Sequence, residues 1–154
     1  MNRDNELIGP DRVALVTGGS SGIGLALARL LAQKGSHVWL AARREDGLAA
    51  ALAEVKAARQ NNQQLCGAIS ADVSDPAQAV EAAEQVARQV GAPHLLVNSA
   101  GVARPGYFQE LDLEAFRWMM EINYFGAVHM VKAVLPGMLE RGSGHIVNLS
   151  SVAG

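Results

Sequence analysis

Three glycines at fixed spacing follow an apolar run near the start of the chain. The run Val13-Ala-Leu-Val-Thr leads into the spacing G-x-x-x-G-x-G, and helical periodicity begins directly afterwards. The first glycine permits a tight turn, the second lets the backbone approach a phosphate, and the third lets the helix pack on its strand. Amides at the helix start would then bind a diphosphate, although an ordinary glycine-rich turn has the same pattern. The candidate phosphate-binding residues are Gly18, Ser20, Ser21, Gly22, Ile23 and Gly24.

Two arginines follow the second apolar run, where dinucleotide sites that prefer NAD carry an acid for the ribose hydroxyls. The chain has Ala42, Arg43 and Arg44 there. A guanidinium 4 Å from a unit negative charge gains about 4 kcal/mol at an effective dielectric of 20, before desolvation is subtracted. We therefore expect Arg43 and Arg44 to bind the 2′-phosphate of NADP(H). In the alternative, they only solvate a helix start, and Glu45 and Asp46 could also compete for them.

Polar residues also stand at the ends of the next two apolar runs. Asp72 follows the third run, where its carboxylate could accept a hydrogen bond from an adenine amine or serve only as a turn residue. Asn98 ends the fourth run and needs partners for its amide. The small residues Ser99, Ala100 and Gly101 leave room beside it for a flat ring or a ribose.

Two further polar positions lie later in the chain. Asn123 interrupts an apolar helical face. A buried amide without partners costs about 1 to 3 kcal/mol, so we expect Asn123 to join a network or to point into a polar cavity. Ser150 and Ser151 follow the fifth apolar run, and their hydroxyls should face the same crevice.

Strand-like and helix-like stretches alternate along the chain, which is typical of a parallel sheet with crossover helices. Strands are predicted near 13–16, 37–41, 65–70, 94–97 and 145–149. Helices are predicted near 23–34, 45–59, 75–91 and 112–141. This order predicts an α/β fold with a doubly wound parallel sheet of the Rossmann type, whose ligand crevice lies at the carboxyl ends of the strands. Residues 1–12 would be an N-terminal extension and residues 13–154 the nucleotide-binding domain.

Local signals refine the last two helices. Asp75 can cap the third helix, with Pro76 at its first position and Gln78 reaching back. The fourth helix is the longest and most apolar, so it should be buried on more than one face. Pro136 should kink it or end its regular part.

Composition excludes several classes of partner. The chain has 154 residues, 49% of them apolar, a formal net charge of −2 and 13 scattered lysines and arginines. We expect one domain with a substantial core and no nucleic-acid partner. We also expect no membrane span, because no apolar run reaches about 18 residues, and a cytoplasmic location, because the first residues lack the apolar stretch of a signal peptide. The single cysteine, Cys66, should be a buried strand thiol, and no metal site is expected.

Taken together, these motifs resemble the short-chain dehydrogenase/reductase family. Residues 17–24 are similar to its T-G-x-x-x-G-I-G loop, and Asp72 with Val73 to its adenine-contacting pair. Residues 98–101 are similar to its N-N-A-G motif, with Ser99 replacing the second asparagine. The resemblance runs from about residue 13 to residue 154, and within the family the chain is similar to 3-ketosphinganine reductases.

The same resemblance implies two catalytic residues. Asn123 matches the family's active-site asparagine, and Ser151, in the pattern S-x-x-G, matches its catalytic serine. In that family the serine binds the substrate oxygen, and the asparagine anchors a water that leads to a lysine. The family's Tyr-x-x-x-Lys pair is not found here, because neither Tyr107 nor Tyr124 has a lysine four positions later. We therefore expect a sheet that is incomplete at its C-terminal side, truncated before this pair and inactive by itself.

The resemblance implies an NADP(H)-dependent oxidoreductase for a small carbonyl or alcohol substrate. Ala100 and Gly101 would join Asn98 as cofactor contacts. The truncation would leave the fifth strand with an exposed edge and the long helix with an uncovered apolar face. Because this family usually dimerises through the helix that runs here from Asp112 to Arg141, we also expect a homo-oligomer. The alternative is a non-catalytic NADP(H)-binding or regulatory module; a nucleotide-binding methyltransferase would explain only the glycines.

Overall fold

The computed structural model describes residues 7–151, which are built around five parallel strands. The strands are β1 (Val13–Thr17), β2 (His37–Ala42), β3 (Cys66–Ser70), β4 (Leu95–Asn98) and β5 (His145–Asn148). Their order in the sheet is β3-β2-β1-β4-β5, so the chain winds outward from β1 in both directions. The prediction of a doubly wound parallel sheet is confirmed, and β5 lies at an edge as expected.

Helices cover both faces of this sheet. They are α1 (Gly22–Gln33), α2 (Glu45–Ala57), α3 (Pro76–Val90), α4 (Leu113–Met120) and α5 (Gly126–Arg141). A π-helical segment (Glu121–Phe125) joins α4 to α5. No helix within residues 7–151 is long and apolar enough to cross a membrane.

Strand periodicity divides the core into two layers. Val13 and Leu15 pack in the cluster that includes α3 and α5, whereas Ala14 and Val16 pack in the cluster that includes α1 and α2. Successive side chains of a strand point to opposite faces, and a parallel sheet with helices on both sides buries both faces. This burial holds the carboxyl ends of the strands in register.

The long fourth helix departs from its prediction. Its buried residues form one stripe, and many of its other apolar side chains are exposed, so the expectation of burial on more than one face was wrong. The exposed group contains Leu113, Trp118, Met120, Tyr124, Phe125, Val128, Leu135 and Leu139. The expected uncovered apolar face is therefore present.

Pro136 lies inside α5, which continues to Arg141, so it does not end the helix. Proline removes one helical N–H bond. Pro136 and Lys132, whose carbonyl loses that partner, are both exposed, so water can satisfy the carbonyl.

Two local predictions on and beside the third strand have different outcomes. Asp75 caps α3, since its Oδ1 accepts hydrogen bonds from the backbone N–H groups of Ala77 (2.9 Å) and Gln78 (3.4 Å). The Gln78 side chain also donates to Asp75, and this bond is the largest cause of an Asp75 pKa below its usual value. Cys66 is only partly buried at the start of the edge strand β3, which corrects the expectation of a buried thiol. Its partial burial still raises the pKa of the thiol.

Candidate functional site

A cleft of about 670 Å³ opens at the carboxyl ends of β1, β2, β3 and β4. From β1 the chain continues to β2 on one side, and from β4 it continues to β5 on the other, so the strand order reverses between β1 and β4. The cleft lies at this reversal, which is the usual ligand position in doubly wound folds. Most residues singled out from the sequence line it: Gly18, Ser20, Ser21, Gly22, Ile23, Arg43, Arg44, Asp72, Val73, Ala100 and Gly101. The fold therefore brings together four segments that are distant in sequence.

The N-terminus of α1 faces this cleft without a side-chain cap. Ser21 occupies the cap position in an extended conformation, but its side chain makes no capping hydrogen bond, and the first turn holds no acid. By contrast, Asp75 and Asp112 cap α3 and α4 with their carboxylates. The first amides of a helix have no partner within the helix, and together with the helix dipole they favour an anion. The start of α1 can therefore bind a phosphate.

The glycines shape the floor of the cleft. Gly22 has a φ of +54°, and a Cβ placed there would have no atom within 4 Å, so it would project into open space. Gly24 does not line the cleft; a Cβ there would lie 2.5 Å from the Gly18 carbonyl oxygen. Gly24 thus lets α1 approach the β1 turn, and Gly22 keeps the phosphate position clear. This cradle fits a diphosphate.

Thr17 connects the glycine loop to the segment after β4. Its buried Oγ1 accepts hydrogen bonds from the backbone N–H groups of Ser99 and Ala100, both at 3.1 Å. The same hydroxyl donates to the Val97 carbonyl at 3.5 Å. One side chain therefore holds the glycine loop and the segment after β4 together. From the sequence, Thr17 was identified only as part of a motif.

Arg43 and Arg44 extend from the end of β2 into the cleft lining, and both are exposed. Within residues 7–151, no ion pair joins either guanidinium to Glu45 or Asp46. The two acids lie in the first turn of α2, where they complement the helix dipole. The competition considered from the sequence is therefore not seen, and both guanidiniums can meet an anion.

Asp72 has the contacts of a turn residue and also a place in the cleft. Its Oδ1 accepts hydrogen bonds from the backbone N–H (3.0 Å) and hydroxyl (2.7 Å) of Ser74, as a turn residue does. Its own N–H donates to Oε1 of Gln78 at 2.9 Å. Asp72 nevertheless lines the cleft beside Val73.

Asn98 is buried at the end of β4 but does not line the cleft. Its Nδ2 donates to Oδ1 of Asn148, its neighbour across the sheet, at 2.8 Å. Its own Oδ1 is buried and, among the described residues, accepts no hydrogen bond. The expected amide network is thus half formed.

Asn123 was expected to be a buried amide, and the structure corrects this: the residue is exposed within the π-helical segment. Both ends of its amide are nevertheless hydrogen-bonded. Oδ1 accepts from the Val102 N–H, and Nδ2 donates to the Val102 carbonyl, both at 2.8 Å. This pair of hydrogen bonds, the Asn123 clasp, fixes the loop after β4 next to the π-helical turn of the long helix. Such turns often occur at functional sites.

Ser151 is exposed beyond the end of β5 and does not line the cleft. The Leu149 N–H donates to the Asn98 carbonyl at 2.9 Å, so the chain leaves β5 beside the end of β4. Neither Ser150 nor Ser151 lines the cleft, so the expected crevice position is not seen, although both residues follow the carboxyl end of β5. Gly154, which completes the S-x-x-G pattern, lies outside the described residues, as do residues 1–6 of the expected extension.

Comparison with known proteins agrees with this geometry. The family model described as short chain dehydrogenase matches residues 12–154. The chain belongs to the short chain dehydrogenase family.

Other members of the short chain dehydrogenase family show what the chain is similar to. The 3-ketodihydrosphingosine reductase of Bos taurus is 39% identical over 155 residues, which cover 96% of this chain and 47% of the relative. The structure of a variant of actinorhodin polyketide ketoreductase with NADPH is 36% identical and has a TM-score of 0.86; the match covers 94% of this chain and 55% of the ketoreductase chain. An NAD⁺-bound xylitol dehydrogenase is 31% identical with a TM-score of 0.88, with the same coverages.

The chain spans about half the length of the curated relatives it matches, from 42% to 60% for the most similar ones. The resemblance to 3-ketosphinganine reductases and to the family is confirmed. Of these two structures, the ketoreductase contains NADPH and the xylitol dehydrogenase contains NAD⁺, so the property that they share is a nicotinamide nucleotide.

Six residues that line the cleft were not predicted as cofactor contacts, although the small size of Ser99 was noted: Ala41, Ala42, Ala71, Ser99, Val102 and Ile122. The first four are small residues at strand ends, where a large side chain would fill the crevice, and their size was the available signal. Val102 and Ile122 carry no such signal. The two hydrogen bonds between Asn123 and Val102 place the loop after β4 beside the helical segment that carries Ile122.

Proposed function

We propose that this chain binds NADP(H) in the cleft and forms the cofactor-binding part of an enzyme that reduces a carbonyl or oxidises an alcohol. One observation carries the proposal: the uncapped start of α1 and the guanidiniums of Arg43 and Arg44 line the same cleft. The first is suited to a diphosphate and the second to a 2′-phosphate. An acid at the end of β2, which would favour NAD, is replaced by these arginines.

The remaining assignments follow the order of the segments around the cleft. Asp72 and Val73 would contact the adenine. Ala100 and Gly101 line the cleft and would contact the ribose and nicotinamide side, with Thr17 holding their segment in place, whereas Asn98 lies outside the cleft lining and would support this segment rather than touch the cofactor. When bound, the nicotinamide takes up or donates a hydride. Ser151 would hydrogen-bond the substrate oxygen.

Asn123 would act through the backbone. Its side chain is occupied by Val102 at both ends, so it holds the loop that borders the nicotinamide side. An asparagine whose amide is already paired is suited to positioning a wall rather than to proton transfer.

We expect this chain to bind the nucleotide without turning over a substrate. Neither tyrosine in the 154 residues is followed by lysine four positions later, so we expect affinity for NADPH without carbonyl-dependent oxidation of it. The second candidate is a nucleotide-binding module without chemistry. Turnover comparable to that of a complete short chain dehydrogenase would refute both the expected inactivity and the module.

The position of the diphosphate can be tested with two matched glycines. Gly22 (φ +54°) and Gly142 (φ +72°) are both left-handed, and a Cβ at either would meet no atom within 4 Å. Gly22→Ala and Gly142→Ala should therefore each cost about 1 kcal/mol of stability. Only the Gly22 methyl group would enter the cleft, so we expect Gly22→Ala to weaken NADPH binding about tenfold or more.

Calorimetric titration of NADPH into both variants measures this difference, with thermal unfolding as the check on stability. Equal NADPH affinities for Gly22→Ala and Gly142→Ala would place the nucleotide elsewhere.

The exposed apolar face of the long helix supports association with a second copy. Leu139 is 70% exposed and Leu135 is 37% exposed on α5. Burying apolar surface gains about 25 cal/mol per Å². We expect Leu139→Glu to shift the molar mass measured by light scattering toward the monomer; an unchanged mass would exclude this residue from the contact.

A further inference from the structure

Helix α5 reaches the wall of the cleft through one imidazole. Nδ1 of His129 lies 2.9 Å from the carbonyl oxygen of Val73, in a partly buried contact between residues that are 56 positions apart. A carbonyl oxygen can only accept a hydrogen bond, so Nδ1 must carry the proton and donate it. The contact therefore requires a defined state of the His129 ring.

A second contact joins α5 to the same residue of the wall. A Cβ at Gly126 would lie 2.6 Å from Cγ2 of Val73, so the helix backbone and the valine side chain are in close contact. Val73 lines the cleft and is buried. It is thus held by packing on its side chain and by a hydrogen bond on its carbonyl.

The contacts of the neighbouring residues show why this anchor matters for the cleft. The Ala71 N–H donates to the Ala42 carbonyl at 3.0 Å, which fixes the beginning of the segment to β2. Asp72 bonds to Ser74 and Gln78, which lie later in the same loop and helix. These bonds shape the loop internally, whereas His129 ties it to a different element of the fold.

We propose that His129 is a positioning residue for the adenine half of the nucleotide, an inference that rests on the proposed function. By holding the Val73 carbonyl, it sets how far Asp72 and Val73 project into the cleft. Asn123, six residues earlier on the same helical unit, holds the Val102 loop in the corresponding way. The long helix thus braces two walls of the cleft through two polar side chains.

The test compares two substitutions at His129 with one control on α5. His129→Leu removes the donor and keeps an apolar side chain, whereas the amide nitrogen of His129→Asn stands at the same distance along the side chain as Nδ1 and can still donate to the Val73 carbonyl. Val131→Ala is the control, because Val131 packs partly buried against the core. The probes are 2′,5′-ADP, which carries the adenine, and inorganic pyrophosphate, which lacks it and can bind only the anion-binding groups of the cleft.

We expect His129→Leu to weaken 2′,5′-ADP binding about five- to tenfold, because the loop would then have to be ordered on binding, with the free energy of the one lost hydrogen bond as the upper limit. Pyrophosphate binding should stay within about twofold, and His129→Asn should retain most of the 2′,5′-ADP affinity. Val131→Ala should lower thermal stability without changing the ratio of the two affinities. In a ¹⁵N-resolved imidazole spectrum of the wild-type chain, the His129 proton should lie on Nδ1.

The outcomes separate this inference from the proposed function. If the wild-type chain binds 2′,5′-ADP but His129→Leu binds it equally well, His129 has no positioning role and the nucleotide site stands. An equal loss for both probes, or a neutral ring with the proton on Nε2, also overturns the inference. If the wild-type chain binds neither probe, the proposed function fails, and the inference fails with it.

Discussion

Removing the two guanidiniums at the end of β2 should make the cleft bind NADPH and NADH alike. Arg43 and Arg44 both line the cleft and are exposed. The gross attraction of about 4 kcal/mol per charge pair at 4 Å is reduced by solvent and by ordering of the side chain. A charge-assisted hydrogen bond contributes about 1.5 to 3 kcal/mol net, and exposure places each arginine near the lower limit. Each would then contribute about tenfold to NADPH affinity.

The assay is calorimetric titration of NADPH and NADH into the wild-type chain, Arg43→Ala, Arg44→Ala and the double variant. Each single substitution should raise the NADPH dissociation constant about tenfold, and the double about 30- to 100-fold, while NADH changes less than about twofold. Raising the salt concentration should reduce the NADPH preference of the wild-type chain, because these exposed charges are screened beyond about 10 Å at 0.1 M.

Lys34→Ala supplies the control for net charge. Lys34 is exposed at the opposite end of α1 from the cleft, so its loss removes one positive charge without touching the site. The reasoning is refuted if the wild-type chain binds NADH as tightly as NADPH, or if the double arginine variant weakens both nucleotides equally. It is also refuted if Lys34→Ala matches the single arginine variants.

Three further changes test how the scaffold supports the cleft. Burial and nearby cationic groups lower the pKa of His94 to about 4 from 6.5, and its Nδ1 accepts from the Val13 N–H; the folded state therefore disfavours protonation. The free energy of unfolding should be highest above about pH 6.5 and should fall by about 1 to 2 kcal/mol toward pH 4, after allowance for solvent screening. Urea titrations at several pH values measure this fall, which should be smaller for His94→Asn. Gln64 is 3% exposed, and its side chain makes hydrogen bonds with four backbone groups. Gln64→Leu should therefore lower the free energy of unfolding by about 3 kcal/mol. As the control, Gln63→Leu at the exposed neighbouring position should change it by less than about 0.5 kcal/mol. Thr17→Val should weaken NADPH binding several-fold and lower stability by about 2 kcal/mol, and Thr17→Ser should restore both; an unchanged affinity would show that the loop keeps its position without the hydroxyl.

The amino-acid sequence was sufficient for the fold class and for the segments of the cleft. Alternating strand and helix patterns predict the parallel sheet, because apolar periodicity is a local property that is written in successive residues. The cap at Asp75 and the glycine loop could be predicted for the same reason, since each depends on residues only a few positions apart. The four segments meet at one cleft because parallel strands end at the same edge.

Tertiary structure alone decided how these segments are held. The Asn123 clasp on Val102 and the His129 bond to Val73 join residues 21 and 56 positions apart, and no local pattern specifies such a pair. The exposure of Asn123 and of the long helix likewise depends on which elements pack against it. Apolar periodicity shows that a helix face can be buried, but only the assembled layers determine which face is covered.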